Sequence, residues 1–211
     1  GKIKVIRGQR RSFVHFAAKQ AARLELIAKS GKALVGYDPA LTICYRDEYT
    51  QMLGDRCGEF DVKLPEEWLN EQFGTKTFVE RFAKIKDKVE QTSKTDEFKD
   101  PYFLFTHCTE RALITQSPVL WQTLMQHFFI NVIPETVACC GMAGLFGHIA
   151  KNHDETYAVY EKNWKGKIKS HDFKHCLITG FSCRSQVHRM EGKEAVHPLF
   201  VLNDLLNKAL K

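Results

Sequence analysis

The stretch that decides the fold is Val137-Ala138-Cys139-Cys140-Gly141-Met142-Ala143-Gly144-Leu145-Phe146-Gly147-His148. Two adjacent cysteines follow a β-type run (Val132, Ile133, Val137) and open a glycine-punctuated turn ahead of a long polar helix candidate ending near Trp164. The expectation is a strand-to-helix corner presenting sulfur. A helix N-terminus favours negative charge and lowers thiol pKa values, so such a corner suits metal-ligating thiolates.

Working outward, two further strand candidates end in cysteine. Tyr102-Phe103-Leu104-Phe105 runs into Thr106-His107-Cys108-Thr109-Glu110, and Leu177-Ile178-Thr179-Gly180-Phe181 runs into Ser182-Cys183-Arg184-Ser185-Gln186. Thirty residues lie between Cys108 and Cys139 and forty-two between Cys140 and Cys183. Those lengths suit crossover helices rather than a zinc knuckle. Strands alternating with helices predict an α/β fold with parallel sheets, and ligands on such sheets bind beyond the carboxyl ends of the strands. Cys108, Cys139, Cys140 and Cys183 are therefore expected on one edge. Four convergent thiolates suit a [4Fe-4S] cluster, with tetrahedral zinc as the alternative. Side chains of adjacent residues diverge, which favours a larger cluster over a single ion.

Before these strands, Gln9 to Ser30 carries Phe13, Phe16, Ala17, Leu24 and Ile27 at helical spacing, with Gly31 as the stop. Ala33 to Tyr37 reads as a short strand, and Asp38-Pro39 opens a helix reaching about Leu53. Another helix is predicted from Lys76 to Thr92. The polar segment Ser93–Asp100 is the one linker candidate, dividing the chain into α/β halves at 1–95 and 96–211. After it, Ser117-Pro118 is expected to cap a helix presenting Val119, Leu120, Leu124 and Phe128, and Pro198 to Leu210 is the closing helix.

Composition limits the classes. The 211 residues are 44% hydrophobic and 27% charged, ordinary values for a chain able to bury a sizeable core. The net charge of +6 comes from lysines and arginines interleaved with 25 acidic residues, so no nucleic-acid partner is expected. Apolar runs fall short of the roughly 20 residues that span a bilayer. Seven cysteines, an odd number in a chain this long, indicate a reducing, cytoplasmic setting, with the inner-membrane periphery the one other location considered. Cys44, Cys57 and Cys176 read as structural thiols. The opening at Gly1, without a Met, reads as a piece of something longer.

The Cys108, Cys139-Cys140-Gly141 and Cys183 pattern resembles the CCG cysteine-rich domain of heterodisulfide reductases and of the iron-sulfur components of glycolate and lactate oxidation systems. Five motifs narrow the likeness: Tyr37-Asp38-Pro39-Ala40-Leu41-Thr42, Tyr45-Arg46-Asp47-Glu48-Tyr49, His107-Cys108-Thr109-Glu110, Cys139-Cys140-Gly141-Met142-Ala143-Gly144 and Ser182-Cys183-Arg184-Ser185-Gln186-Val187. In order and spacing they resemble the C-terminal region of the large bacterial FAD-linked D-2-hydroxy acid dehydrogenases of the D-2-hydroxyglutarate dehydrogenase type, from about Gly31 to the end. The resemblance implies an electron-transfer module. An upstream flavin domain of the same polypeptide would oxidise the hydroxy acid, a ferredoxin-like segment would carry further clusters, and this region would pass electrons to an acceptor. No flavin-binding pattern and no ferredoxin run of cysteines occurs here, so FAD belongs to the upstream part and the chain alone is expected to lack dehydrogenase activity.

The likeness has two departures. The family's repeat ends in Cys-x-x-Cys, but Gly180 stands where the first of that pair is expected; and the first half, read as a degenerate partner repeat, has Asp38-Pro39 in place of a double cysteine. One cluster with four sulfurs is the expectation. His107, Glu110, His148, Arg184, Gln186 and Arg46 are the candidates for hydrogen bonding around it or for positioning an acidic acceptor; Arg46 and Glu48 pairing with each other is the bland alternative. A phosphate loop at Gly141, Gly144 and Gly147 lacks the required spacing and lysine. A thiol-disulfide catalyst lacks Cys-x-x-Cys. The competing class is a structural or docking domain with zinc-bound or unmetallated thiols.

Overall fold

The computed structural model describes Lys2–Lys211. Two helices come first, α1 (Lys2–Ile6) and α2 (Arg10–Lys29). The buried stripe of α2 is Phe13, Ala17 and Ala21, whereas Phe16 and Ile27 reach the surface. Small residues let α2 pack closely on the helices that follow, which the count of large apolar residues did not anticipate. The first sheet has two parallel strands, β1 (Leu34–Val35) and β2 (Val62–Lys63), with Leu34 opposite Val62. Between them, α3 (Pro39–Arg46) and α4 (Glu48–Leu53) replace the single expected helix, the chain breaking at Asp47.

After β2 come α5 (Pro65–Phe73), α6 (Lys76–Ala83) and α7 (Lys86–Ser93); the continuous helix expected from Lys76 to Thr92 is interrupted at Lys84 and Ile85. The second sheet has three parallel strands, β3 (Tyr102–Phe105), β4 (Val132–Glu135) and β5 (Cys176–Ile178), in the spatial order β4, β3, β5. Its crossovers carry α8 (Cys108–Leu113) and α9 (Ser117–His127), then α10 (His153–Tyr160), a π-helical turn (Glu161–Lys165) and α11 (Gly166–Lys169). The chain closes with α12 (Phe181–Glu191) and α13 (Pro198–Ala209). The fold is thus mixed α/β with parallel strands in two small sheets, and mostly helical.

Two cores flank the three-stranded sheet. One holds Leu104, Trp121, Leu124, Met125, Leu177 and Leu205, and takes Val89 from α7 and Phe98 from the polar segment Ser93–Asp100. The other gathers Phe105, Tyr160, Trp164, Ile168 and Ile178 around Cys140, Cys176 and Cys183. On α9 the buried residues are Ser117, Trp121, Leu124 and Met125, while Val119 is exposed. No helix among the described residues is long and apolar enough to cross a membrane.

Candidate cysteine site at the strand ends

Because β3, β4 and β5 are parallel, their carboxyl ends share one edge, and each chain segment leaving that edge carries a candidate cysteine. Cys108 is the first residue of α8, and Cys183 lies in the first turn of α12. Cys139 and Cys140 sit in an irregular loop after β4, well before α10 begins. The expected helix start at this pair is therefore corrected: the loop remains outside regular structure because its carbonyls are taken by side chains. Arg111 donates to the carbonyl of Val137, Trp164 Nε1 to that of Ala138 at 2.9 Å, and Asn163 Nδ2 to that of Cys139 at 3.1 Å. The π-helical turn presents Asn163 and Trp164 side by side to successive carbonyls. Single-turn π insertions of this kind re-aim side chains.

The amides of the loop face inward. Gly141 N–H lies 3.4 Å from Cys139 Sγ, and the Ala143 amide also donates to that sulfur. Gly141 has φ +94°, and a Cβ there would lie 2.5 Å from the Thr156 carbonyl, so only glycine fits.

The four sulfurs meet in a chain: Cys108 contacts Cys139, Cys139 contacts Cys140, and Cys140 contacts Cys183. Hydrogen bonds from the Cys108 and Cys140 thiols, then from the two amides, hold the Cys139 thiol far below its ordinary pKa. Donation to Cys139 holds Cys108 and Cys140 far above theirs, with burial adding to the effect. Among the described residues, no group of three or more His, Cys, Asp or Glu is arranged to hold a single metal ion. Cys176 is fully buried in β5, where burial pushes its thiol up to about 12.

A cavity of about 620 Å³ opens onto Cys108, Cys139 and Cys140. Its walls include Ile3, Ile6, Leu41, Leu145 and Phe181, with His107 and His148 among the polar groups. His107 is buried, and that burial holds its imidazole below the usual pKa. Its Nδ1 accepts from Thr109 N–H at 3.1 Å, so the neutral ring carries its proton on Nε2, which faces Ser182 Oγ at 3.3 Å. The same ring explains Gly180. A Cβ at position 180 would lie 2.5 Å from His107 Cδ2, so the space a side chain would need there is filled by imidazole.

The other sequence candidates do not line this cavity. Glu110 is buried away from it, closing a capping box with the His107 backbone and accepting from Thr179 Oγ1. Arg184 spans the carbonyls of Ile178 and Thr179, with its guanidinium over Tyr37 at 5.6 Å. Gln186 is buried beneath Gly141 and donates to Thr156. Arg46 pairs with Glu67 at 2.6 Å, and Glu48 pairs with Lys2, so the Arg46–Glu48 pairing does not form. Asp38 reaches the site edge from the first half: its side chain caps α3 through Leu41 N–H and also accepts from Phe181 N–H at 2.9 Å.

Nothing in the local sequence pattern pointed to Asn163, Trp164, Glu66 or Ser117. Glu66 reads as an ordinary first-turn acid after Pro65, and Ser117 as a helix cap. Both instead meet Glu110 in the core through the Ser117 hydroxyl.

No family model matches the chain, and no solved structure does. Against curated proteins, it is 38% identical over 206 residues to D-2-hydroxyglutarate dehydrogenase of Pantoea ananatis and 38% to that of Haemophilus influenzae. The Escherichia coli protein of the same name is 36% identical over 206 residues. Each alignment takes in 98% of this chain, extending into the helices before Gly31, and 19% of the relative. The chain, along nearly its whole length, is therefore similar to a segment that makes up about a fifth of proteins named D-2-hydroxyglutarate dehydrogenase.

Proposed function

We propose that the chain is the iron-sulfur electron-transfer part of a larger FAD-linked D-2-hydroxy acid oxidoreductase, in which Cys108, Cys139, Cys140 and Cys183 hold one [4Fe-4S] cluster. The observation that carries the reading is the meeting of four thiols from three parallel strand ends, in a segment similar to proteins of that name. The donor set fits: all four ligands are sulfur, and three of the residues border a cavity roomier than a single ion needs. When bound, such a cluster accepts and releases single electrons.

The chain's own residues supply the setting. The inward amides of Gly141 and Ala143 stabilise negative charge on sulfur, Asn163 and Trp164 hold the loop from behind, and His107 offers a fixed N–H donor at the cavity wall. FAD and any ferredoxin-like clusters belong to the remaining four-fifths of such an enzyme, in the same polypeptide, and the acceptor is met at this module.

Anaerobic purification with iron and sulfide analysis tests this. About four irons and four sulfides per chain, with a visible absorbance that bleaches on reduction and is lost in Cys139→Ser, are expected. Stoichiometric zinc without sulfide would overturn it. The second reading, a docking domain with unmetallated thiols, is favoured by the sulfur chain itself, which satisfies the thiols without metal. Cys139→Ser and Cys140→Ser that leave thermal stability and turnover of the full flavoenzyme unchanged would support that reading.

A further inference from the structure

We propose that Glu66 is a neutral carboxylic acid that donates its proton to Ser117, and that through this bond the first half of the chain positions the strand ends bearing Cys108 and Cys183. The proposal holds with or without a cluster, since it concerns the polypeptide alone. Three elements meet at this point. Glu66 lies in the first turn of α5, Glu110 in that of α8, and Ser117 begins α9; their exposures are 1%, 0% and 0%. The Ser117 hydroxyl contacts one oxygen of each carboxyl group.

A hydroxyl has one proton to give. Glu110 is the acceptor of that proton by geometry: burial raises both carboxyls, but three other donors already converge on Glu110, His107 N–H at 3.1 Å, Thr179 Oγ1 at 2.5 Å and Trp121 Nε1 at 3.3 Å, whereas Glu66 meets Ser117 alone. Ser117 therefore donates to Glu110, and its remaining contact with Glu66 is a hydrogen bond only if Glu66 supplies the proton. The other Glu66 oxygen is buried with no partner, tolerable for the carbonyl of a neutral acid and costly for an anion. Among the described residues no cation joins the network; the neighbouring Arg46 is held by Glu67. Burial and the nearby Glu110 push the Glu66 carboxyl well above the usual range, in the same direction.

The consequence reaches the cysteines. Thr179 Oγ1 accepts from His107 N–H while donating to Glu110, so this carboxylate joins the end of β3, one residue before Cys108, to the end of β5, four before Cys183. Glu66 is the positioning residue that completes this junction from the first half.

The test uses the 211-residue chain with carboxyl-labelled glutamate. Its infrared spectrum at pH 7 should contain a protonated-carboxyl band that Glu66→Gln removes; a wild-type spectrum without the band, or a variant that retains it, overturns the neutral acid. Alkylation of the metal-free chain, read peptide by peptide, tests positioning. Glu66→Gln, still neutral and able to donate, should leave the Cys108 and Cys183 rates unchanged, and Glu66→Ala should raise them about tenfold. If the alanine variant does not fold, Glu66→Asp, one methylene short, should raise them in its place. Unchanged rates in whichever folded variant is used, or a Gln variant as fast as it, overturn the positioning role.

Discussion

The two parallel sheets end in the same device put to different uses. After β1 the chain turns through Tyr37-Asp38-Pro39 into α3, and after β3 through Thr106-His107-Cys108 into α8; in both, a side chain at the turn caps the helix. In the first half both Asp38 oxygens go to backbone amides, one on α3 and one on α12. In the second half the capping residue is followed by a thiol, and the neighbouring segments add three more. The first half thus supplies a strut at the site's edge, and the second supplies the sulfur together with the Arg111, Asn163 and Trp164 struts of the thiol loop. The lesson is that a strand end becomes a site when its backbone is satisfied by side chains from elsewhere, leaving its own reactive groups free to meet.

The test with the largest expected effect concerns the strut that has no first-half counterpart. Trp164 is fully buried and donates to the Ala138 carbonyl. Trp164→Ala should cost about 3–5 kcal/mol by emptying the core behind the loop. It should also raise Cys139 alkylation more than Cys57 alkylation, because Cys57 belongs to the first half. Equal increases would mean that the two halves unfold together and that the loop has no separate support.

Gly180 sharpens the same contrast. Gly180→Ala brings a methyl against the His107 ring and should cost about 1–3 kcal/mol, the range for overpacking. Placing a cysteine there should cost at least as much, unless His107 is also made small. Thermal melts of Gly180→Cys with and without His107→Ala measure this directly, and an additive result would remove His107 as the reason for the glycine.

A second capping histidine, His197, precedes α13 and packs between Tyr37 and Trp121. Burial lowers its pKa from 6.5 to about 3. The unfolded chain binds the proton more readily, so stability is full above pH 6.5 and falls as pH drops from there towards 3. At pH 5 the loss is about 2 kcal/mol from this residue. His197→Asn, which keeps a capping side chain, should flatten the denaturation midpoint between pH 7 and pH 5; His107, shifted in the same direction, leaves a residual slope.

What could be read in the sequence was what depends on neighbours along the chain. Asp38-Pro39 and Pro198 marked helix starts, the strand before His107 was visible as an aromatic run, and the order of cysteines gave their common edge. What could not be read depends on partners far away. Glu66 and Ser117 lie 51 residues apart, and each looks like a surface cap until Glu110 joins them. The π-helical turn leaves no mark in the apolar pattern around Trp164, and the break at Asp47 is not signalled by proline or glycine. Likewise His107 was legible as a neighbour of Cys108, but its claim on the space at Gly180 comes from another strand.

Asp38 offers the smaller direct test of the comparison. Asp38→Ala removes two amide acceptors, one in each half, and should cost about 1–2 kcal/mol in a denaturant melt. Asp38→Asn retains one oxygen acceptor, so it should recover about half of that loss.

Arg46 should give the smallest effect, which is why it discriminates. It belongs to a sequence motif that pointed toward the cysteine site, yet its guanidinium is bound to Glu67 and it borders a separate cleft with Glu25, Cys57 and Asp61. The pair is partly exposed, and Glu67 also accepts from Leu64 N–H, an interaction that survives loss of the arginine. Arg46→Ala should therefore cost under about 1 kcal/mol, as partly exposed pairs do. It should leave alkylation of Cys108, Cys139, Cys140 and Cys183 unchanged, because no hydrogen bond leads from Arg46 to the thiol loop. A shift in cysteine reactivity without a shift in stability would show that the first half acts on the sulfurs by charge, and not through the Asp38 strut alone.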